Sequence, residues 1–507
     1  MALVLAGCRK PASVPASFTT LDEEARIYPD YRDVIIPPNI APLNFMVRDS
    51  LAQDFVAEVK CSQGDAILVG GDADGVIRFD TLVWRNLLTT SKGQGLTFDV
   101  YARHSDGWVK YRSFRMTVAE EDIDPYLSYR LIEPGYELYR QLGLYQRNLT
   151  NWDVHTIYEN NRTFVDEHNH CINCHNFQDY STQRMLFHVR ANHGGTIFVN
   201  GDKAEKISIK DSTILTSGVY PSWHPRHNWV AFSTNKTGQT FHLYDKERIE
   251  VIDEGSDLLF YDVDRNEVSH IFRTRDEMET FPCWSPDGKM LYYCSADTRE
   301  VVALNDTLES MWYINHWDSL LYDLKRVPFD ERTRTFGQPE TVVLASPQHH
   351  SVSVPRVSPD GRYVLYTQGD YGQFHIWHKS SDLWVKDLQT DTCYTLTAAN
   401  SPDVDSYHSW SSNGRWIVFS SRRMDGNYTR PHIAYFDRQG QAHKAFCLPQ
   451  ENPMHNILLL KSYNVPELTR DAVQVSQETL RQVVYATDGK PAKYKGKKTA
   501  AKDTNGN

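Results

Sequence analysis

Two cysteines and a histidine, Cys171, Cys174 and His175, stand in the run His168-Asn169-His170-Cys171-Ile172-Asn173-Cys174-His175. Their spacing, Cys-x-x-Cys-His, is the one that attaches a c-type haem. Two thiols three positions apart can add to the two vinyl groups of a porphyrin, and the adjacent imidazole of His175 then falls over the iron as its proximal ligand. A sixth ligand would be Met or His. Met185 and His188, within Arg184-Met185-Leu186-Phe187-His188-Val189-Arg190, are the nearest candidates, and spacing does not choose between them. A methionine would raise the reduction potential relative to bis-histidine ligation. Arg184 and Arg190 are candidates for charge-assisted pairing with the propionates. His168 and His170 stand so close to the thioethers that either would be a strained ligand.

The same residues carry plainer readings. An oxidised Cys171–Cys174 pair would staple the chain. A zinc site would need further ligands, and no second Cys-x-x-Cys supplies them. A thioredoxin-like redox pair wants a helix start in a βαβ context, which is absent here. Met185, Phe187 and Val189 alternate as a buried strand would, leaving His188 on the surface or packed. Cys283 and Cys294 flank one hairpin and read as buried free thiols, because a disulfide needs a specific geometry.

The chain opens Met-Ala-Leu-Val-Leu-Ala-Gly-Cys, with Leu5, Ala6, Gly7 and Cys8 in the order of a bacterial lipobox. The small residue before Cys8 lets a peptidase reach the bond, and the thiol then carries the lipid. The apolar segment, Ala2 to Gly7, is shorter than the roughly 7–15 residues of a secretory signal, so an ordinary apolar N-terminus is the alternative. A lipid on Cys8 would place the protein in the bacterial envelope, membrane-anchored on the periplasmic side or the outer membrane surface, outside the reducing cytosol. Haem attachment outside the cytosol agrees with that location. Among the 507 residues, Lys plus Arg is 54 and Asp plus Glu is 65, a net charge of −11. That sign repels phosphate backbones and argues against a nucleic-acid partner. With 21 Phe, 28 Tyr and 12 Trp, the chain has the aromatic content of a folded protein. No apolar run reaches the roughly 18 residues of a membrane-spanning helix.

The elements that must position the motif are mainly β. Residues 1–24 read as a signal remnant and tether. Residues 25–120 read as an immunoglobulin-like β-sandwich, with alternation in Phe55–Cys61 and Leu96–Ala102 and a further strand from Val76 to Phe79. Residues 121–184 read as a connector carrying the motif; aromatic and leucine spacings from Ile123 to Asn161 suggest short helices and packed loops. From 185 to 466 a degenerate repeat predicts a β-propeller. Its copies are Tyr220-Pro221-Ser222-Trp223-His224-Pro225, Phe281-Pro282-Cys283-Trp284-Ser285-Pro286-Asp287-Gly288, Val354-Pro355-Arg356-Val357-Ser358-Pro359-Asp360-Gly361 and Tyr407-His408-Ser409-Trp410-Ser411-Ser412-Asn413-Gly414, each followed by an apolar strand. Pro presets the turn and Gly closes it. About 280 residues suit six blades, and five or seven are also compatible. Residues 467–507 read as an extension with a disordered Lys-rich tail containing Lys490, Lys493, Lys495, Lys497, Lys498 and Lys502.

The repeats resemble the TolB-type, WD40-like Pro-Asp repeats of bacterial envelope proteins. With the lipobox and Cys-x-x-Cys-His, the stretch from Tyr126 to Pro466 resembles envelope lipoproteins labelled TolB-like or cytochrome c-related propeller proteins. The resemblance implies a propeller, one covalent haem c on Cys171, Cys174 and His175, and an envelope location, with no settled activity. His224-Pro225-Arg226-His227 and Ser411-Ser412-Asn413-Gly414 depart from Ser-Pro-Asp-Gly, which leaves strand register open there. Three functions follow as alternatives. One is a mono-haem electron carrier serving an envelope protein partner. Another is a binding module for a protein, peptide or glycan on a propeller face, with the cysteine pair as a staple. The third is a haem enzyme such as a peroxidase, which would need an open iron site. The absence of Gly-x-Ser-x-Gly, Gly-x-Gly-x-x-Gly and a phosphate loop favours a carrier or binding protein over an enzyme.

Overall fold

The structure is a computed structural model that describes residues 12–62, 64–133, 141–160, 169–242, 247, 249–304, 306–486 and 489–496. Cys8, His168, Lys497, Lys498 and Lys502 lie outside the described residues.

Local turn chemistry sets the repeat. The Ser285 hydroxyl donates to Asp287 Oδ1 at 2.6 Å and accepts the Met290 amide at 3.0 Å, while the Gly288 amide returns to Ser285 O at 2.8 Å. Ser358 and Asp360 build the same turn, and so do Ser411 and Asn413, with asparagine standing in for aspartate. At the most divergent copy the imidazole does the work: His224 Nδ1 accepts the amides of Arg226 at 3.2 Å and His227 at 3.1 Å. Gly288 and Gly361 sit at φ +66° and +74°. Gly361→Ala should therefore cost about 1–2 kcal/mol, the usual penalty for a side chain in left-handed backbone. Gly288→Ala should cost more, because its Cβ would lie 2.3 Å from His224 Nε2. Urea midpoints of the two variants check that order.

Ahead of these turns run the inner strands of a ring. Among the described residues there are six: His170–Gln178, Val219–Trp223, Glu277–Trp284, Ser351–Val357, Asp405–Trp410 and Ser462–Thr469. Each begins its own sheet, and they neighbour one another in a closed cycle. The last sheet joins the two ends of the ring. Ser462–Thr469 pairs with Tyr126–Ile132, which pairs with Leu142–Asn148, then Val154–Glu159, all antiparallel. The fold is a β-propeller.

Every inner strand carries the same bulge, in which two residues oppose one. The pairs are Cys174-His175, Tyr220-Pro221, Phe281-Pro282, Val354-Pro355, Tyr407-His408 and Val465-Pro466. The first of each pair is left-handed, with φ of 54°, 46°, 53°, 51°, 47° and 48° in that order. The second faces a gap in the ladder, where proline's missing N–H costs nothing. Two residues beyond it a bulky side chain (Phe177, Trp223, Trp284, Val357, Trp410 or Leu468) is buried between sheets. Cys174-His175-Asn176-Phe177 is thus a propeller repeat in its own right, with His175 at the position held elsewhere by proline or His408.

The N-terminal unit packs a seven-stranded sheet against a three-stranded one. Helix Thr81–Thr90, capped by Asp80, buries Trp84, Leu87 and Leu88. The expected strands Phe55–Cys61 and Leu96–Ala102 appear as Asp54–Lys60 and Gly95–His104, while the one from Val76 stops at Ile77. One apolar core runs from this unit into the ring through Trp416, Val418, Ile433, Tyr463 and Leu468.

Three boundaries differ from expectation. The supposed connector is largely sheet: Leu127, Tyr129 and Leu131 alternate toward the core, a period of two that the neighbouring tyrosines disguised. The tether already contains a strand, Thr19–Glu24, pairing in parallel with Gly107–Arg112. The tail is ordered where described. Helix Gln477–Tyr485 buries Leu480 and Val484, and Lys490–Pro491 and Lys493–Tyr494 extend the first and second sheets of the ring. Those sheet edges recruit a passing backbone whatever its side chains, so a lysine-rich composition gave no sign of it.

Candidate functional site: the ring channel

A cavity of about 690 Å³ occupies the channel, and Cys174, Tyr220, Phe281, Val354, Tyr407 and Val465, the first bulge residue of each sheet, all line it. The hairpin of Trp229–Phe241 and Ile249–Asp262 continues well past the start of its inner strand, since Val219 pairs with Ser233. Its Lys236, Gln239 and Val251 reach the cavity, as do Phe374 and Trp377 around the short helix His375–Trp377. Tyr220 packs on Phe281 with ring centroids 4.2 Å apart, and Phe374 meets Tyr407 edge-on at 5.9 Å.

The wall is cationic in a chain that is acidic as a whole. Arg130, Arg190, Arg356, Lys210 and Lys236 line the cavity, and Glu133 is the one carboxylate among the described lining residues. Glu133 is bound to Lys461 at 2.8 Å and Lys236 to Glu254 at 2.9 Å. Arg130 Nη1 donates to Ile172 O at 3.0 Å, and its buried Nε has no partner. Arg356 Nη1 donates to Pro355 O at 2.9 Å. Among the described residues neither guanidinium forms an ion pair with a carboxylate.

Cys171, Cys174 and His175 share this wall. Cys171 and Cys174 are free thiols, not the disulfide a staple would need, and burial pushes the Cys174 thiol up, away from a reactive thiolate. Neither nitrogen of His175 reaches a hydrogen bond of good geometry, although the Val465 backbone lies near enough to favour the cation slightly. Burial foremost, then the charges of Arg130 and Arg356, holds His175 down to about 3. Glu467, 3.9 Å from His175 Nε2, accepts from the Phe177 amide at 3.3 Å and Asn176 Nδ2 at 3.2 Å. Burial pushes Glu467 up to about 7. With an imidazole that stays neutral and a carboxyl that resists ionisation, this contact is not a salt bridge at neutral pH.

The other expected site residues separate. His188 reaches the cavity, with Nδ1 3.2 Å from Thr196 Oγ1, and burial holds it down to about 3. Met185 does not reach it: with Phe187 it is fully buried in the core beside Ile172, while Val189 on the same face of the strand is buried at the cavity wall. Arg190 lines the cavity, whereas Arg184 lies farther down the same strand, bonded to Gln178 Oε1 at 3.1 Å. His170 is a core histidine held by Tyr158 OH at 2.9 Å. Cys283 and Cys294 are buried free thiols. Among the described residues no group of three or more His, Cys, Asp or Glu is arranged to hold a metal ion. A haem c at this wall would be held by Cys171, Cys174 and His175, with His188 the sixth-ligand candidate on the cavity and Arg130 and Arg356 near its propionates. Sequence reasoning missed Arg130, Lys210 and Lys236. Tyr220, Phe281, Val354, Arg356 and Tyr407 stood in it only as repeat residues, with no sign that each would face the channel.

No family model and no curated protein matches the chain. Among solved structures, TolB from Acinetobacter baumannii is similar with a TM-score of 0.41 at 12% identity, over 73% of this chain and 79% of that one. The β-propeller domain of the Trilobed protease from Pyrococcus furiosus gives 0.32 at 9%, over 71% and 96%. Prolyl oligopeptidase B from Galerina marginata gives 0.34 at 10%, over 69% of this chain and 42% of its own.

Proposed function

We propose that the chain is a propeller binding module whose channel holds part of a protein, peptide or glycan partner. The observation that carries this reading is the cavity itself, walled by one bulge residue from each of the six sheets and covered in part by the long hairpin. Bulges next to functional sites commonly re-aim side chains, and here each sheet aims one inward. Probing peptide and glycan arrays with the intact protein tests the reading. Tyr220→Ala with Tyr407→Ala should weaken any array ligand at least about tenfold, roughly the loss of one or two aromatic contacts. Binding indifferent to both substitutions would place the partner elsewhere. Lipid on Cys8 would hold the module at the envelope; a palmitate label present in the parent and missing from Cys8→Ser supports that anchor.

A second reading is favoured by one observation: Cys171, Cys174 and the poorly bonded His175 meet at a single wall. A haem c held there would supply one-electron transfer to an envelope partner. Protein made with the cytochrome c maturation machinery should then give a c-type pyridine haemochrome band that Cys171→Ser and Cys174→Ser abolish. Colourless protein of full stability removes this reading and leaves the module.

A further inference from the structure

Two guanidinium groups of the channel wall, Arg130 and Arg356, form no ion pair with a carboxylate among the described residues. Lys236 is matched by Glu254, and Glu133, the lone carboxylate among the described lining residues, is held by Lys461. The nearby acids answer the two guanidinium charges weakly. Asp253 is bonded to Asn235, Tyr322 and Gln373, and Glu467 to Asn176 and the Phe177 amide. Although the charge of Arg356 favours the Glu467 carboxylate, burial outweighs it and holds that carboxyl up to about 7. Arg130 and Arg356 come from different sheets, yet both fields bear on His175 and on Tyr407, so they converge on one part of the wall. Partly buried guanidinium groups without a counter-ion are unfavourable unless something completes them, and the buried, partnerless Nε of Arg130 is one such unfinished donor.

The shape of the missing partner follows from what surrounds these groups. Phosphate sites lean on cradles of free backbone amides. Here the inner strands spend their amides on the ladder, and Pro221 and Pro282 on the cavity wall have none to give. A planar carboxylate matches a guanidinium fork with two parallel bonds. The rings of Tyr220, Phe281, Phe374 and Tyr407 beside it suit an apolar or ring-shaped body.

We infer that the channel recognises a carboxylate-bearing ligand end, gripped by Arg130 and Arg356 and flanked by the tyrosines at the bulges. This rests on the binding-module reading and names the chemistry of its ligand. A peptide's terminal carboxylate and the uronate of an acidic glycan present the same group.

Titration calorimetry on the intact protein at low salt tests it with N-acetyl-Gly-Gly-Phe, its C-terminal amide, a tri-uronate oligosaccharide and inorganic phosphate. At least one carboxylate probe should bind, the peptide acid at least about tenfold tighter than its amide if a chain end is the source. The tri-uronate binding while the peptide acid is silent assigns the source to glycan. Arg356→Gln should bring the acid down to the level of the amide. Arg356→Lys, which keeps the charge and loses the fork, should fall between, and serves if the glutamine variant does not fold. Acid and amide binding equally, phosphate competing better than either carboxylate, or no carboxylate binding at millimolar concentration each overturns the inference. Equal acid and amide binding that Tyr407→Ala still abolishes sinks the charge assignment and spares the module. Acid binding that ignores Tyr407→Ala, Arg130→Gln and Arg356→Gln alike lies outside the channel and sinks both.

Discussion

Ending the chain after Lys461 should leave a protein with no cooperative unfolding transition, whereas ending it after Asp471 should give a folded but less stable one. The first cut removes Ser462–Thr469, the inner strand of the sheet that closes the ring. Strand Tyr126–Ile132 would then show the channel a row of unpaired backbone groups. Tyr463 and Leu468 would also be withdrawn from the core that the ring shares with the N-terminal unit. Burial of each such side chain is worth about 1.5–3 kcal/mol, and the strand's hydrogen bonds add to that. A folded protein has only about 5–15 kcal/mol to lose. The second cut keeps the ring and removes helix Gln477–Tyr485. Its cost is the apolar contact of Val473, Val475, Leu480 and Val484, the two carbonyls, of Val484 and Ala486, that accept from Lys206 Nζ at 3.0 and 2.8 Å, and the short strands Lys490–Pro491 and Lys493–Tyr494 at the edges of the first two sheets. Circular dichroism with urea titration separates the outcomes. A sharp transition in the shorter chain would show that the ring tolerates an open seam.

That seam also marks how far the sequence could be read. Four repeats announced themselves because Trp223, Trp284 and Trp410 or a Ser-Pro-Asp-Gly turn stood beside them. The other two lacked both signs. Val465-Pro466-Glu467-Leu468 has no turn after it because the chain leaves the ring there, its partner strand lying more than three hundred residues earlier. Cys174-His175-Asn176-Phe177 was hidden by its own cysteines, whose spacing drew attention to haem chemistry and away from the proline position that His175 occupies. Alternation predicted the buried strand of Met185, Phe187 and Val189 correctly as one of two readings, and the structure takes it. The cationic wall was beyond reach, because Arg130 and Arg356 are separated by most of the ring and only its closure brings their charges together. Composition averaged them into a net charge of the opposite sign.

Stability should peak near pH 6.5 and fall by roughly 3 kcal/mol toward pH 8.5, at about 1.4 kcal/mol per pH unit for each titrating group. Three buried carboxyls set the alkaline limb. Burial, with the charges of Asp257 and Glu277 adding to it, pushes Glu279 up to about 8, and burial pushes Asp253 and Glu467 up to about 7. Glu279 has Thr274 Oγ1 on one oxygen at 2.7 Å and nothing on the other. Between the ordinary carboxyl range and these values the native state holds protons that the unfolded chain has released. Raising the pH through that window therefore favours unfolding. The histidines run the other way. Burial holds His175, His188, His375 and His408 down to about 3, so below about pH 6.5 the unfolded chain takes up protons that the native state refuses, and stability rises with pH across that range. The two slopes oppose each other up to about 6.5. Beyond that the carboxyls set the fall, and above about pH 8 the thiols of Cys174, Cys283, Cys294 and Cys447, all pushed up by burial, add to it. Glu279→Gln keeps the Thr274 bond and removes the highest of the three, so it should flatten about half of the alkaline fall and steepen the rise below pH 6.5, where its slope no longer opposes that of the histidines. Urea midpoints measured from pH 5 to 9 on both proteins decide the matter. An alkaline limb of equal steepness in the variant would mean that Glu279 is ionised in the native state and that its buried oxygen has found water.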